Sequence, residues 1–165
     1  MEQLIPSAVF SVALLALCAV KPGAGRIFMG IFYLVMAIGV NLVLVLVAPD
    51  QFVALGTSEP LLSPYAWFFR EVVALSPVLF GVLAAAYEVG VGLLLLSKGR
   101  WVKWGVAGGI AHLLVITPLG IWTLANPVMA LALAALLRRE YDRSLPEMLT
   151  SVLHRRPAVE ASVRR

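Results

Sequence analysis

The length of the apolar runs in this chain constrains its fold more than any other feature of the sequence. Runs with no charge, or with a single one, cover residues 4–20, 27–48, 76–97 and 102–137. A helix needs about 20 apolar residues to cross about 30 Å of hydrocarbon. Hydrophobic residues make up 61% of the chain and charged residues 13%, against about 45–50% and about 25% in soluble domains. The sequence therefore predicts an all-α, multi-pass transmembrane helical bundle.

The fourth run is too long for one crossing. Its 36 residues would form a helix of about 54 Å at a rise of about 1.5 Å per residue. Pro118 and Gly120 form the expected break, because proline removes a helical hydrogen bond and disfavours helix at the residue before it. We predict helices near 103–117 and 121–140, the second kinked or starting at Pro127. The bundle then has five crossings, a four-helix core with an added N-terminal helix.

Positive charge predicts the orientation of the bundle. With five crossings, 12 of the 13 lysines and arginines fall on one side. The positive-inside rule places that side in the cytoplasm. We therefore predict a protein of the cell (inner) membrane with its N-terminus on the outer side and its C-terminus in the cytoplasm. Residues 4–20 are interpreted as an N-out anchor rather than a signal peptide. A signal peptide has basic residues before its apolar run, whereas this run is preceded by Glu2 and by no basic residue.

Two segments lie outside the apolar runs. Residues 61–74 carry aromatic side chains that settle at the headgroup level, which predicts an interfacial segment in the outer loop; a lid over a cavity is the alternative. Near the C-terminus, Ser144 and Glu147 have capping-box spacing. Helical periodicity follows and predicts a short amphipathic helix over 145–154 at the membrane face. The chain thus divides into the bundle, 1–143, and a cytoplasmic tail, 144–165.

Few polar side chains fall at membrane depth, and these form the candidate site: Tyr33, Asn41, Tyr87, Glu88 and His112. An ionised side chain at mid-bilayer costs at least about 2.5–3.5 kcal/mol, so such residues usually face the protein interior and have partners. Glu88 lies nine residues before the end of its helix and His112 nine residues into the next. Equal depth on neighbouring antiparallel helices predicts a contact between Glu88 and His112.

Both residues lie on stripes of small residues. Positions three and four apart share a helix face, and small residues there let membrane helices approach closely. The stripes consist of Gly81, Ala84, Ala85 and Gly92 around Glu88, and of Gly105, Gly108 and Gly109 before His112.

Two interpretations of the Glu88–His112 pair stay open. The structural one is a neutral or ion-paired contact that fixes helix packing. The functional one is a proton relay, or the polar end of a pocket for an amphipathic ligand such as a quinone, since histidine holds or releases a proton near neutral pH. Asn41 is interpreted as an amide bonded across the helix interface, where such bonds contribute about 0.6–2 kcal/mol; membership of the site is the alternative.

Other kinds of site are disfavoured by composition. With one cysteine, Cys18, and two histidines, His112 and His154, the chain forms neither a dithiol pair nor a metal cluster. The net charge of +4 indicates membrane orientation rather than binding of nucleic acid. The expected partners are the lipid bilayer and other membrane or redox subunits, and a bound quinone is the single cofactor considered.

Two segments resemble the DoxX-like family of small bacterial membrane proteins: RIFMGIFYLVMAIGVN, residues 26–41, and AAAYEVGVGLLLLSKGRWVKWG, residues 84–105. The family-like positions include Arg26, Gly30 and Gly92. The resemblance extends over about residues 26–140 and implies a four-helix bundle, to which residues 4–20 add a helix. Two positions depart from the family, because Asn41 stands in place of a histidine or lysine and Ser97 in place of a glycine.

Some members of that family are associated with sulfur oxidation, quinone-linked oxidoreductase assemblies or oxidative-stress complexes. The first expectation is therefore a non-enzymatic membrane subunit or assembly factor of a redox complex. The alternatives are a quinone-binding or oxidoreductase subunit with an intramembrane Glu/His site, and a small proton-coupled transporter. The sequence decides neither whether the protein is an enzyme nor its oligomeric state.

Overall fold

The computed structural model describes residues 4–151, and every regular element in that range is helical. The helices are α1 (Leu4–Val20), α2 (Pro22–Val47), α3 (Pro49–Thr57), α4 (Ser63–Glu71), α5 (Pro77–Leu96), α6 (Arg100–Ile116), α7 (Asn126–Ala135) and α8 (145–151). Short 3₁₀ turns cover Val73–Leu75, Thr117–Leu119, Ile121–Thr123 and Leu136–Arg138.

Proline lies in the first turn of most of these helices, at Pro22, Pro49, Pro64, Pro77 and Pro127. In that position its missing N–H removes no helical hydrogen bond, and its fixed φ suits a helix. Proline therefore explains why α2 begins before the predicted residue 27. It also explains why α3, which was not predicted, begins directly after α2.

Five helices form a closed ring around one core. Along the ring α1, α2, α5 and α6 each pack against the next, and α7 packs between α6 and α1. The centre holds apolar side chains from every one of these helices, among them Leu14, Met29, Leu95, Val106 and Leu133. Because α1 contributes Leu14 to this core, it completes the ring and is not an addition to a finished four-helix bundle.

Among residues 4–151, four helical segments are long and apolar enough to cross a membrane: Pro22–Val47, Pro77–Leu96, Arg100–Leu119 and Ile121–Arg138. Helix α1, with 17 residues, is apolar but shorter. Large apolar side chains also cover the outside of the ring, and several are more than half exposed, as at Val12, Ile38, Leu79 and Leu131. Soluble monomers rarely expose so continuous an apolar surface, so helix length and surface together indicate a membrane protein.

The fourth apolar run breaks at the predicted place. Helix α6 ends at Ile116, and the backbone is extended at Gly120. The hydroxyl of Thr123 lies 2.6 Å from the carbonyl oxygens of both Thr117 and Gly120 and accepts the N–H of Gly120 at 3.2 Å. Its one proton is donated to one carbonyl at a time, and the carbonyl of Gly120 also accepts the N–H of Thr123 at 3.2 Å, so the backbone groups at the break have partners.

Of the two forms predicted for the segment 121–140, the structure has the one in which regular helix starts next to Pro127. A 3₁₀ turn, Ile121–Thr123, comes first, and regular α-helix extends only over Asn126–Ala135. Pro127 is the physical reason, because it has no N–H to continue a helical ladder from the preceding turn. Asn126 lies inside the helix and does not cap it, since the cap position is Ala125.

Helices α3 and α4 pack against each other and lie over one end of the ring. The hydroxyl of Tyr65 donates to the carbonyl of Val115 at 2.6 Å, and the N–H of Leu61 donates to the carbonyl of Pro118 at 2.9 Å. Trp67 is exposed. The aromatic segment predicted over 61–74 is therefore mostly helical and is attached to the break after α6.

The opposite end, which we call the basic end, consists of the α1–α2 and α5–α6 connections and the tail. Gly99 has a φ of 58°, a conformation that favours glycine, and its N–H donates to the carbonyl of Tyr141 at 2.8 Å. Lys98 pairs with Glu147, whose other oxygen accepts the N–H of Ser144 at 2.9 Å. Helix α8 thus starts with the predicted capping carboxylate, while 152–154 of the predicted helix lie outside the described residues.

Candidate functional site between helices α2, α5 and α6

Glu88 lies in the middle of α5 and has a partner on each neighbouring helix. The amide nitrogen of Asn41 donates to Oε2 at 2.7 Å, and Nε2 of His112 lies 3.1 Å from Oε1. The Glu88 side chain is 6% exposed and that of His112 13%. Each carboxylate oxygen therefore meets one nitrogen, in a place almost closed to the surroundings, and the contact between Glu88 and His112 is the one that equal depth predicts.

Two tyrosines enclose the imidazole of His112. The ring of Tyr87 stacks on it and the ring of Tyr33 meets it edge-on, each with centroids 5.8 Å apart. The hydroxyl of Tyr33 donates to the carbonyl of Gly109 at 3.0 Å, and that of Tyr87 to the carbonyl of Gly108 at 2.9 Å. These contacts restrict the imidazole from two sides, so the structure brings all five candidate polar residues together.

Glycines let the three helix backbones approach one another. A Cβ on Gly92 would lie 2.9 Å from the carbonyl oxygen of Gly30, and a Cβ on Gly105 would lie 2.8 Å from the backbone nitrogen of Leu95. No side chain fits at such distances, so these interfaces depend on small residues. The predicted stripes thereby bring α5 close enough to α2 and α6 for Glu88 to reach both partners.

Asn41 belongs to a π-helical segment of α2, Met36–Leu42. Such segments are rare and occur frequently at functional sites. A π turn contains more residues than an α turn, so it changes the direction of the side chains within it. Tyr33 and Ala37, which precede Asn41 at helical spacing, are buried, but this spacing did not identify Glu88 as the partner of Asn41.

The cluster has the chemistry to hold one proton between a carboxylate and an imidazole. With the proton on His112 the two form an ion pair, and with the proton on Glu88 both are neutral, so neither arrangement leaves a net charge in hydrocarbon. Asn41 donates to the carboxylate in either case. Within residues 4–151, no three His, Cys, Asp or Glu residues come together to hold a metal ion.

An apolar groove of about 600 Å³ lies along the exposed side of α5 and α6. Its lining includes Tyr87, Gly90, Trp101, Trp104 and Gly108, and both tryptophans are at least half exposed. Tyr87 connects this groove to the polar cluster, since its ring lines the groove and also stacks on the imidazole. Neither member of the Glu–His pair lines the groove itself.

Arg26, a family-like position, lies away from this cluster at the basic end. It is 2% exposed. Its guanidinium donates to the carbonyls of Ser97 and, at 3.0 Å, Arg143, and lies over the ring of Tyr141 at 4.7 Å from the centroid. The sequence analysis named Arg26 only through the family resemblance and missed these contacts, because the partners lie 71 and 117 positions further along the chain.

The site thus consists of a carboxylate contacted by a nitrogen on each side, an imidazole between two tyrosine rings, and a groove that ends at one of those rings. No protein-family model, no curated protein and no solved structure matches this chain.

Proposed function

We propose that this protein is a DoxX-like integral membrane subunit that performs no chemistry of its own and supports the assembly of other membrane subunits, for example those of a redox complex. One observation carries the proposal: both oxygens of Glu88 are engaged by residues of this chain, and its side chain is 6% exposed. A carboxylate held in this way fixes three helices relative to one another. It has no free oxygen directed at a substrate.

In this proposal the chain crosses the bacterial inner membrane five times, with the N-terminus outside and the C-terminus in the cytoplasm. Helix α1 has 17 residues, which is at the short end of the spanning range of about 17–25. The basic end carries most of the lysines and arginines, which favours the cytoplasmic side. Partners would bind the α3–α4 end or the tail.

Replacing Glu88 by Gln and His112 by Ala, singly and together, tests the proposal. If the pair is structural, each single change lowers the unfolding midpoint in detergent, and the double change costs little more than one of them, because the contact can be broken only once. Co-purification of partners from native membranes should fall in parallel with the amount of folded protein.

Leu93→Ala, on the exposed face of the same helix, is the matched control and should leave both measurements unchanged. Variants that keep wild-type stability but lose a cellular phenotype would assign a functional site to Glu88 and His112 instead. A wild-type protein that brings down no partner from native membranes would contradict the subunit role.

A second candidate, binding of an amphipathic quinone, is favoured by the groove on α5 and α6. The groove is apolar and large enough for a hydrophobic tail, and Tyr87 offers an aromatic surface beside His112. This candidate ranks second because the groove stops at Tyr87. The proton-coupled transporter stays a prediction that ranks third, because the described contacts of Glu88 with Asn41 and His112 favour a structural contact over a proton path.

Gly90→Leu tests quinone binding. A Cβ at Gly90 meets nothing within 4 Å, so the leucine side chain should occupy the groove without disturbing helix packing. Quinone extracted into organic solvent from the purified variant should fall several-fold below wild type. Ala86→Leu, one turn away on the exposed surface, should retain it, and equal amounts in both variants would contradict quinone binding in the groove.

A further inference from the structure

Arg26 is a buried cation, and the groups within residues 4–151 that contact it are neutral. They are the carbonyls of Ser97 and Arg143, the sulfur of Met148 and the ring of Tyr141. Burial raises the pKa of Tyr141 above its usual value, so its phenol carries no charge at physiological pH. In the part of the chain that the structure describes, no carboxylate lies within ion-pair distance of Arg26, and its Nε has no hydrogen-bond partner.

A charge in this position requires a counter-charge. An ionised group removed from water loses much of its solvation free energy unless it is paired. Arginine does not escape this by deprotonation, because it stays charged in proteins. Carbonyl oxygens and an aromatic face offset part of the loss, but neither brings a negative charge.

A cavity of about 370 Å³ lies beside Arg26 at the basic end. Gly23, in the first turn of α2, lines it together with Arg143 and Ser151. The first turn of a helix carries N–H groups without intrahelical partners, and such groups bind anions. A buried guanidinium with an unpaired Nε and the first turn of α2 therefore border one space, and both are kinds of group that bind phosphate.

We propose that this cavity binds a phosphate group and that Arg26 is its buried cation. The phosphate has two possible sources, the headgroup of an anionic phospholipid at the membrane surface or a soluble phosphate. Because Arg26 also holds the carbonyls of Ser97 and Arg143, a bound phosphate would stabilise the attachment of the tail to the bundle.

Two carboxylates at the same cavity define the competing explanation. Glu140 lines the cavity and pairs with Lys103 at 2.7 Å. Asp142 also lines it and is exposed. If Asp142 neutralises Arg26 at longer range, the cavity needs no anion. If the cavity binds phosphate, Asp142 opposes that binding by repulsion between like charges.

Thermal unfolding of the full-length protein in a neutral detergent tests the proposal. If the source is soluble, sodium phosphate should raise the midpoint by about 2–4 °C over sodium chloride at equal ionic strength. If the source is lipid, micelles containing phosphatidylglycerol should do so relative to phosphatidylcholine. A rise in either arm supports the proposal and names the source, and the absence of a rise in both overturns it.

Gly23→Leu should fill the cavity while leaving the Arg26 side chain itself in place. A Cβ at Gly23 meets nothing within 4 Å, so the variant should fold and should lose the rise. Ala24→Leu, at the exposed neighbouring position, should keep it. A rise that persists in Gly23→Leu would come from general surface charge and would overturn the proposal.

Asp142→Asn separates the two explanations. The proposal expects an unchanged midpoint in chloride and a half-maximal response at a concentration of phosphate, or fraction of phosphatidylglycerol, at least about threefold lower, because a like charge has gone. A large fall of the midpoint in chloride, with no response to either probe, would identify Asp142 as the counter-charge of Arg26 and overturn the proposal.

Discussion

At the scale of single residues, Glu88 shows how a carboxylate is accommodated in an apolar bundle. Its oxygens face one nitrogen from Asn41 and one from His112. The sequence predicted the second partner because a short connection sets the relative depth of α5 and α6. It did not predict the first, because α2 and α5 are separated by two further helices and Asn41 lies in a π segment.

Asn41→Leu should destabilise the protein by about 1–3 kcal/mol, because it leaves one buried oxygen of Glu88 without its donor. The same change in a Glu88→Leu background should cost close to nothing, since no acceptor remains. Unfolding by a denaturing detergent, titrated into mild-detergent micelles, measures both. An equal cost in the two backgrounds would show that Asn41 acts through something other than Glu88.

The contacts of Glu147 predict how the stability of the protein depends on pH. A hydrogen bond from Lys98, with a second from the N–H of Ser144, lowers the pKa of Glu147 from 4.5 to about 2. The pKa of Glu147 is lower in the folded protein than in the unfolded chain. The contacts of its carboxylate therefore stabilise the fold above about pH 4.5, and this contribution is lost as the pH falls through about 2. Carboxyl NMR should show a midpoint near 2, and Lys98→Met should move it towards 4.5. A midpoint that does not move would contradict the assigned cause.

At the scale of helices, backbone contact at glycine decides which elements are neighbours. Gly30 and Gly92 bring α2 against α5, and Gly105 brings α6 against the backbone of α5. The small-residue stripes are visible in the sequence, but they do not say which helix occupies each one. In the structure, Gly92 of α5 packs against α2, and Gly105 of α6 packs against α5. This arrangement lets Glu88 reach two helices.

Gly92→Ala should destabilise the bundle by about 1–3 kcal/mol, because its Cβ would press on the backbone of Gly30 and the helices would have to separate. Gly90→Ala is the matched control on the same helix, since a Cβ there meets nothing within 4 Å. It should be neutral or slightly stabilising, because alanine favours helix over glycine. The same unfolding assay measures both, and equal effects would contradict the close α2–α5 contact.

At the scale of the whole molecule, the two ends of the ring differ. Helices α3 and α4 cover one end with aromatic side chains. At the basic end, the chain after α7 is attached to the ring through Arg26, Lys98 and Lys103, which contact Arg143, Glu147 and Glu140 respectively. Exposed pairs such as Lys103–Glu140 contribute little by themselves, so the buried guanidinium is the contact that attaches the tail most firmly. The excess of basic residues at one end supports the proposal that this end faces the cytoplasm.

Labelling of single cysteines in intact cells should show the proposed orientation. Cys18 is fully buried, so the wild type should remain unlabelled by a membrane-impermeant maleimide. Ser58→Cys, at the exposed end of α3, should react from outside, and Arg139→Cys, exposed at the basic end, only after permeabilisation. The reverse pattern would invert the topology, and labelling of both from outside would contradict the odd number of crossings proposed between Ser58 and Arg139, namely α5, α6 and the segment that contains α7.

The sequence by itself determined the class of protein, the positions of the apolar helices, the break near Pro118 and the depth of Glu88 and His112. These follow from one-dimensional quantities, because hydrocarbon thickness requires apolar length and depth is counted along a helix. The tertiary structure alone decided that α1 completes the ring, that Asn41 reaches Glu88 and that Arg26 is buried under the tail. A helix turns by about 100° per residue, so which side chains meet depends on the rotation and pairing of helices far apart in the chain, and local pattern does not encode either.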